Sequence, residues 1–296
     1  MNGLLLAAML LAAPHPRLIS TAELARLLDA RTPLTVIDIR EDVFTYLESH
    51  LPGAAYVHVE GLRATRDGLP SQLLSPAAYV ELFTRLGIRI DRPVVIYSAG
   101  ESRDIDATFL AWLLASFGHP AVYLLDGGYF AWQVEHRPLT QKYPPKVPGR
   151  FPSRPFRPEA VTLAELRAAL GRPGTVLVDA RSPEQYAGQA GAQLRRGHIP
   201  GAINHPWKSD LERREFGNVW KRPEELRASY EAQGITPDKD VIVYCNTGTE
   251  ASHVHFALRY LLGYPRVRIY TGAWNEWSER EDLPVAAGAP RAAGGN

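Results

Sequence analysis

VIVYCNTGTEASHVHFALRYLLGYP (Val241–Pro265) sets an apolar β-branched run, a cysteine, five small or polar residues and a helical spacing in direct succession. A continuous apolar run of this length reads as a strand buried on both faces. The apolar residues of ASHVHFALRYLLG recur at helical spacing, and Gly263 is placed to end that helix. Cys245 therefore stands where a strand ends and a loop feeds a helix, the place where open α/β sheets bind ligands. It is the one cysteine among 296 residues.

The same frame occurs twice. STAELARLLDARTPLTVIDIRE (Ser20–Glu41) matches TLAELRAALGRPGTVLVDARSPE (Thr162–Glu184), each a helix, a turn and a strand ending in Asp-x-Arg. ESHLPGAAYVHV (Glu48–Val59) matches RGHIPGAINHPW (Arg196–Trp207), RPVVIYSAG (Arg92–Gly100) matches KDVIVYCNTG (Lys239–Gly248), and LLDGGYFAWQ (Leu124–Gln133) matches IYTGAWNEWS (Ile269–Ser278). Asp38 and Asp179 lie 141 positions apart, Ser98 and Cys245 147. Constant order with a drifting offset is duplication followed by loop insertion, and this period means tandem domains, not a solenoid. Strands alternating with helices make each copy an α/β domain with a parallel sheet flanked by helices. KYPPKVPGRFPSRPFRP (Lys142–Pro158), rich in proline and arginine, reads as a stiff extended linker. The expected organisation is an apolar leader over 1–15, a first domain over 16–141, the linker over 142–158, a second domain over 159–286 and a tail over 287–296.

Composition narrows the function. A net charge of +1 argues against nucleic acid or an anionic membrane as the main partner. A single cysteine excludes an internal disulfide and any CxxC pair, and the histidines show no metal-site spacing, so no metal and no cofactor are expected. GLLLAAMLLAAP (Gly3–Pro14) has the length of a signal-peptide core and is too short to span a bilayer. Export is the reading, with a cytoplasmic location and an apolar extension packed on the first domain as the alternative.

At a helix N-terminus, unpaired N–H groups and the dipole favour an anion, so the Cys245 thiol is expected to be acidified. Gly248 lets the loop curl its amides toward one sulfur. The competing reading is a buried, inert cysteine. A phosphatase is disfavoured because a Cys-x5-Arg loop would need arginine where Ala251 stands. A cysteine hydrolase would need a base such as His198 or His205 close by. A nest of amides also suits a persulfide. His198 reads as a residue that fixes its own loop. Asp38 and Asp179 read as structural acceptors, and Trp132, Trp274 and Trp277 as core caps.

These segments together resemble the tandem rhodanese-type sulfurtransferases, the family of thiosulfate and 3-mercaptopyruvate sulfurtransferases. The carriers are VDARSPEQY, GHIPGAIN, PEELRASYEAQGI, VIVYCNTGTEAS, LGYPRVRIYTGAWNEW and FGHPAVYLLDGGYFAW, spanning about Leu18 to Val285. The resemblance implies that Cys245 is the sulfur-carrying nucleophile and that Asn246, Thr247, Gly248, Thr249 and Glu250 cradle its persulfide. It also implies that Arg181 faces the loop and the bound anion. Among the basic residues of the second copy's insertion, Arg196 is the one placed to reach the site. One active site is implied, in the second domain and facing the interdomain cleft. It would take a small sulfur donor, thiosulfate or 3-mercaptopyruvate, and pass sulfur to a thiol or cyanide. The alternative is a persulfide carrier that delivers sulfur to a partner protein. Ser98 replaces the cysteine of the first copy, which marks that copy as inactive. The loop carries no cation and ends in a carboxylate, which predicts weak use of a dianionic donor.

Overall fold

The computed structural model describes residues 16–100, 105–144, 149–215 and 217–289. The leader over 1–15 and most of the tail lie outside them. Two compact units emerge. One contains residues up to 64 with 73–158 and 212–220; the other contains 65–72, 159–211 and 221 onward. The boundaries differ from a simple cut, because residues 65–72 of the first copy are grouped with the second unit and residues 212–220 of the second copy with the first.

In the first copy β1 (Arg17–Ile19), β2 (Thr35–Asp38) and β3 (Ala54–Tyr56) precede the hairpin β4 (Arg63–Arg66) and β5 (Leu69–Leu73); β6 (Val94–Tyr97) and β7 (Val122–Leu125) follow. Its sheet is parallel in the order β1-β7-β6-β2-β3. The second copy repeats this with β8 (Ala160–Val161), β9 (Thr175–Asp179), β10 (Ile203–Asn204), the hairpin β11 (Leu211–Arg214) and β12 (Gly217–Trp220), β13 (Asp240–Tyr244) and β14 (Val267–Tyr270). The order β8-β14-β13-β9-β10 is strand for strand that of the first sheet. Both chains of strands are α/β sheets flanked by helices, as the alternating pattern requires.

β6 and β13 are the middle strands, and all of Val94–Tyr97 and Val241–Tyr244 is buried. That is why both runs are apolar without alternation. The helices that follow, Ile105–Ser116 and Thr249–Phe256, are buried nearly all round. Matching capping boxes start the first helix of each copy: Ser20 with Glu23, and Thr162 with Glu165. Trp132 sits in one core, Trp274 and Trp277 in the other.

Residues 149–158 of the proline-rich stretch, expected as a stiff extended linker, pack on the first unit. Phe151 is buried against Phe83 and Phe117, and Phe156 packs on Tyr79 and Phe117. Arg157 N–H donates to Ser116 O at 2.8 Å and Arg154 Nη1 to Gly118 O at 2.9 Å. Proline and arginine signal an extended backbone; the phenylalanines between them decide that it docks. Among the described residues no helix is long and apolar enough to cross a membrane.

Candidate active site

Each sheet carries one polar device at the carboxyl ends of its two central neighbours. Tyr244 pairs with Asp179 in register, and Tyr97 with Asp38. Tyr244 Oη donates to Asp179 Oδ2 at 2.7 Å, Tyr97 Oη to Asp38 Oδ2 at 2.5 Å. The arginine two residues on closes the pair. Arg181 Nε lies 2.9 Å from Asp179 Oδ1 and Nη2 2.6 Å from Oδ2; Arg40 does the same to Asp38. Arg181 Nη2 also donates to Gly197 O at 2.7 Å, and its guanidinium lies over the Trp274 ring at 4.6 Å. Both acids are thus hydrogen-bond acceptors inside the fold, as their strand-end position suggested.

Cys245 follows directly and is wholly buried. Gly248 N–H donates to its Sγ at 3.0 Å, and the amides of Thr247 and Ala251 also act on the sulfur. Gly248 holds φ at +97°, a conformation that brings its amide back over the thiol. Behind the loop, Trp274 N–H donates to Cys245 O at 2.8 Å, from a turn in which Ala273 sits at φ +58°. A β-carbon in that left-handed region costs about 1 kcal/mol; the first copy has Gly128 at the same turn, at φ +56°.

Burial opposes the acidification that the loop amides would bring to the thiol. Burial, the largest effect, pushes the Cys245 thiol up to about 12, and the negative charge of Glu250 adds to it. The loop amides pull the other way and are outweighed. Glu250 is the one residue of its helix that is not fully buried, and it lies near enough to Cys245, Asp179 and Arg181 for their charges to act on it. Burial and the neighbouring Asp179 raise it to about 7, against the opposing pull of Arg181.

The other expected residues are placed as follows. Thr247 and Thr249 lie with their hydroxyls 3.4 Å apart, and Asn246 Oδ1 is buried with no hydrogen-bond partner among the described residues. Arg181 is at the site, but its guanidinium is engaged by Asp179 and Gly197 beneath the loop. Arg196 is exposed, and no hydrogen bond or ion pair joins it to the loop among the described residues. His198 Nδ1 bonds Tyr186 O at 2.8 Å and its ring stacks on Tyr186, fixing its own loop. His205 is held between Gln233 Oε1 and Asp210 Oδ1. Among the described residues no hydrogen bond joins either histidine to Cys245, the bond a cysteine hydrolase would use. Sequence reasoning placed Glu250 at the site but gave Trp207 no part in it. Among the described residues no cluster of three or more histidine, cysteine, aspartate or glutamate side chains could hold a metal ion.

A thiol at the mouth of a middle strand, ringed by amides, on a duplicated five-stranded parallel sheet defines a class. The rhodanese-like domain model matches residues 20–135 and 162–280, and the chain belongs to that family of sulfurtransferases. It is 37% identical over 271 residues to the sulfur carrier protein TtuD of Thermus thermophilus, covering 86% of this chain and 90% of that one. To the thiosulfate sulfurtransferase of Corynebacterium glutamicum it is 34% identical, covering 93% and 92%. To the 3-mercaptopyruvate sulfurtransferase of Escherichia coli it is 33% identical, covering 88% and 91%. Among solved structures it is similar to EanB in a cysteine-persulfide state with ergothioneine, with a TM-score of 0.80 and 25% identity over 93% of this chain and 71% of that one.

Proposed function

We propose that this sulfurtransferase moves a sulfane sulfur from a small donor, thiosulfate or 3-mercaptopyruvate, to a thiol or cyanide through a persulfide on Cys245. The observation that carries the reading is the sulfur at the end of β13 with the Gly248 amide donating to it at 3.0 Å from the loop that feeds a helix. An amide so placed suits an anion at the sulfur and at the atom beyond it, the role an oxyanion hole plays for oxygen. The thiolate attacks the donor's outer sulfur, and sulfite or pyruvate leaves. The acceptor then takes the outer sulfur and frees the thiolate. The loop over Asn246–Glu250 forms the cradle, and the site belongs to the second copy alone, since Ser98 lacks comparable nucleophilicity.

The thiosulfate and 3-mercaptopyruvate activities named for the Corynebacterium and Escherichia relatives support the two donors, and the EanB persulfide supports the intermediate. The Thermus relative, named as a sulfur carrier, favours a second reading: delivery of the persulfide sulfur to a protein acceptor. Parallel steady-state assays with both donors, with cyanide and with a thiol, test the first. Rapid turnover with either donor supports an enzyme of small molecules. Stoichiometric loading of Cys245 without turnover leaves the carrier reading in its place.

A further inference from the structure

His205, Asp210 and Tyr230 are buried together in the second copy, and the chemistry above gives them no part. Tyr230 Oη donates to Asp210 Oδ2 at 2.7 Å, and His205 Nε2 lies 2.9 Å from Asp210 Oδ1. His205 Nδ1 faces Gln233 Oε1 at 2.8 Å, and the imidazole stacks on the Tyr230 ring at 4.1 Å. His253, on the helix that follows the Cys245 loop, brings Nε2 to 4.0 Å from Asp210 Oδ2 and meets Trp207 ring to ring at 5.2 Å. Resting on the persulfide reading above, we propose that His205, Asp210 and Tyr230 are positioning residues of sulfur transfer, a polar brace that fixes the helix after Cys245 to the end of β9.

The duplication supplies the first argument. Val57 N–H donates to Asp38 O at 2.9 Å, as His205 N–H does to Asp179 O at 2.9 Å. A short 3₁₀ helix follows in each copy, ending at Leu62 in one and at Asp210 in the other. The next helix opens on Pro76 or on Pro223, and Phe83 and Tyr230 stand at the same distance beyond those prolines. The first copy thus fills the same frame with Val57, Leu62 and Phe83, all buried. Well-packed apolar residues commonly stabilise such a site as well as a buried ion pair does, or better. The polar set stands in the copy that carries the cysteine, and its three positions are apolar in the copy that carries Ser98. Stability alone does not account for it.

The second argument is where the brace is tied. Besides His205 N–H to Asp179 O, Trp207 N–H donates to Ala180 O at 3.0 Å. Ala180 N–H in turn donates to the carbonyl of Tyr244, the residue before Cys245, at 2.9 Å. On the other side, Ser252 N–H, next to His253, donates to Gly248 O at 3.0 Å, and Gly248 N–H is the donor to Cys245 Sγ. The brace therefore joins the two segments between which the sulfur is held. Apolar contact is non-directional and lets a helix slide; hydrogen bonds to a carboxylate fix distance and angle. Displacement at sulfur needs Sγ, the outer sulfur and the leaving group in line, and a misplacement of about 1 Å can cost about 10²-fold.

The test transplants the first copy's residues into the second: His205→Val, Asp210→Leu and Tyr230→Phe together, in the full chain. Chemical denaturation should place this variant at or above the midpoint of the unaltered chain. Steady-state kcat with thiosulfate and cyanide should fall by about 10–10²-fold, while KM, set by groups that meet the donor, should hold. Tyr230→Phe alone, which removes one hydrogen bond and keeps the ring, should lower kcat less and at the same KM. A stable triple variant whose kcat holds overturns the proposal, whatever its KM does. Should the triple variant be unstable, Tyr230→Phe decides, and an unchanged kcat there overturns the proposal equally. Mass analysis of the Cys245 peptide after long incubation with thiosulfate separates the brace from the reading it rests on. Sulfur on Cys245 in both proteins, with the slower kcat in the variant, upholds both. Its absence from the unaltered chain defeats the persulfide reading, and the kcat comparison still decides the brace.

Discussion

Arg181 grips Asp179 from two residues away, with Nε at 2.9 Å and Nη2 at 2.6 Å, and both side chains are buried. Arg40 and Asp38 form the same pair in the copy that carries Ser98 in place of the cysteine. A device present in both copies cannot owe its existence to sulfur chemistry in one. The pair joins the central strands to the loop after them, and its contribution to donor binding is at most the residual field of a neutralised ion pair. Arg181→Ala and Arg40→Ala should therefore both lower stability by about 3–5 kcal/mol, because each leaves a buried aspartate unpaired. Chemical denaturation of the two variants checks this. A folded, fully stable Arg181→Ala with only a raised donor KM would restore the direct binding role.

Catalysis should depend on Cys245 and not on Ser98. Cys245→Ser should abolish sulfur transfer, while Ser98→Ala should retain most of it, since the first copy's loop is joined to its own fold through Tyr129 N–H to Ser98 O and Phe130 N–H to Ala99 O. Steady-state assays on both variants decide it. Substantial turnover by Cys245→Ser would move the nucleophile elsewhere.

How much of this is legible in the sequence depends on what satisfies each residue. Val241–Tyr244 can be satisfied only by burial on both faces, so strand, sheet type and the position of Cys245 follow from the pattern. The drifting duplicate order makes the second sheet follow from the first. The titration of Cys245 does not follow, because the loop amides are visible in a strand–glycine–helix pattern but the cover that desolvates the thiol is not. Glu250 is a first-turn carboxylate, equally content in solvent or inside; its surroundings, distant in the chain, decide. The docking of Phe151 and Phe156 is likewise set by aromatic partners remote in the chain. The Asp-x-Arg spacing, legible in both copies, already separates framework from site.

Two buried groups should give opposite pH dependences of stability. Glu250 is raised from 4.5 to about 7, so its stabilising contribution is complete below 4.5 and is lost as pH rises through 7. His253, fully buried, is lowered from 6.5 to about 4, so its contribution is complete above 6.5 and is lost as pH falls through 4. Each is worth roughly 3 kcal/mol over its window, and between 4.5 and 6.5 the slopes oppose one another. Glu250→Gln should be more stable than the unaltered chain above pH 7, equal to it below 4.5, and visibly acid-sensitive between. Denaturation midpoints taken across that range test the sign. A variant destabilised at alkaline pH would mean that the carboxylate is not desolvated.

The donor should report the same carboxylate through a split between KM and kcat. Thiosulfate is a dianion and feels twice the repulsion from an ionised Glu250 that a monoanion would. Nothing in the loop offsets it: Arg181 is neutralised by Asp179, and Arg196 is exposed without a bond to the loop. Thiosulfate should thus be used with a high KM, and that KM should fall as pH drops through about 7, where Glu250 takes up its proton. Relief of about 1.4 kcal/mol of repulsion would lower it about tenfold. Turnover should fall over the same interval if the carboxylate takes up the thiol proton. Glu250→Gln should reproduce both effects at neutral pH, with a lower thiosulfate KM and a lower kcat, while the KM for 3-mercaptopyruvate, a monoanion, should move less. Arg196→Ala should raise the thiosulfate KM only modestly, and added salt should erase that difference by screening an exposed charge. Steady-state kinetics with both donors across the pH range settle the matter. A thiosulfate KM indifferent to pH and to Glu250→Gln would show that the carboxylate meets the thiol but not the donor, and the weak-thiosulfate expectation would fall with it.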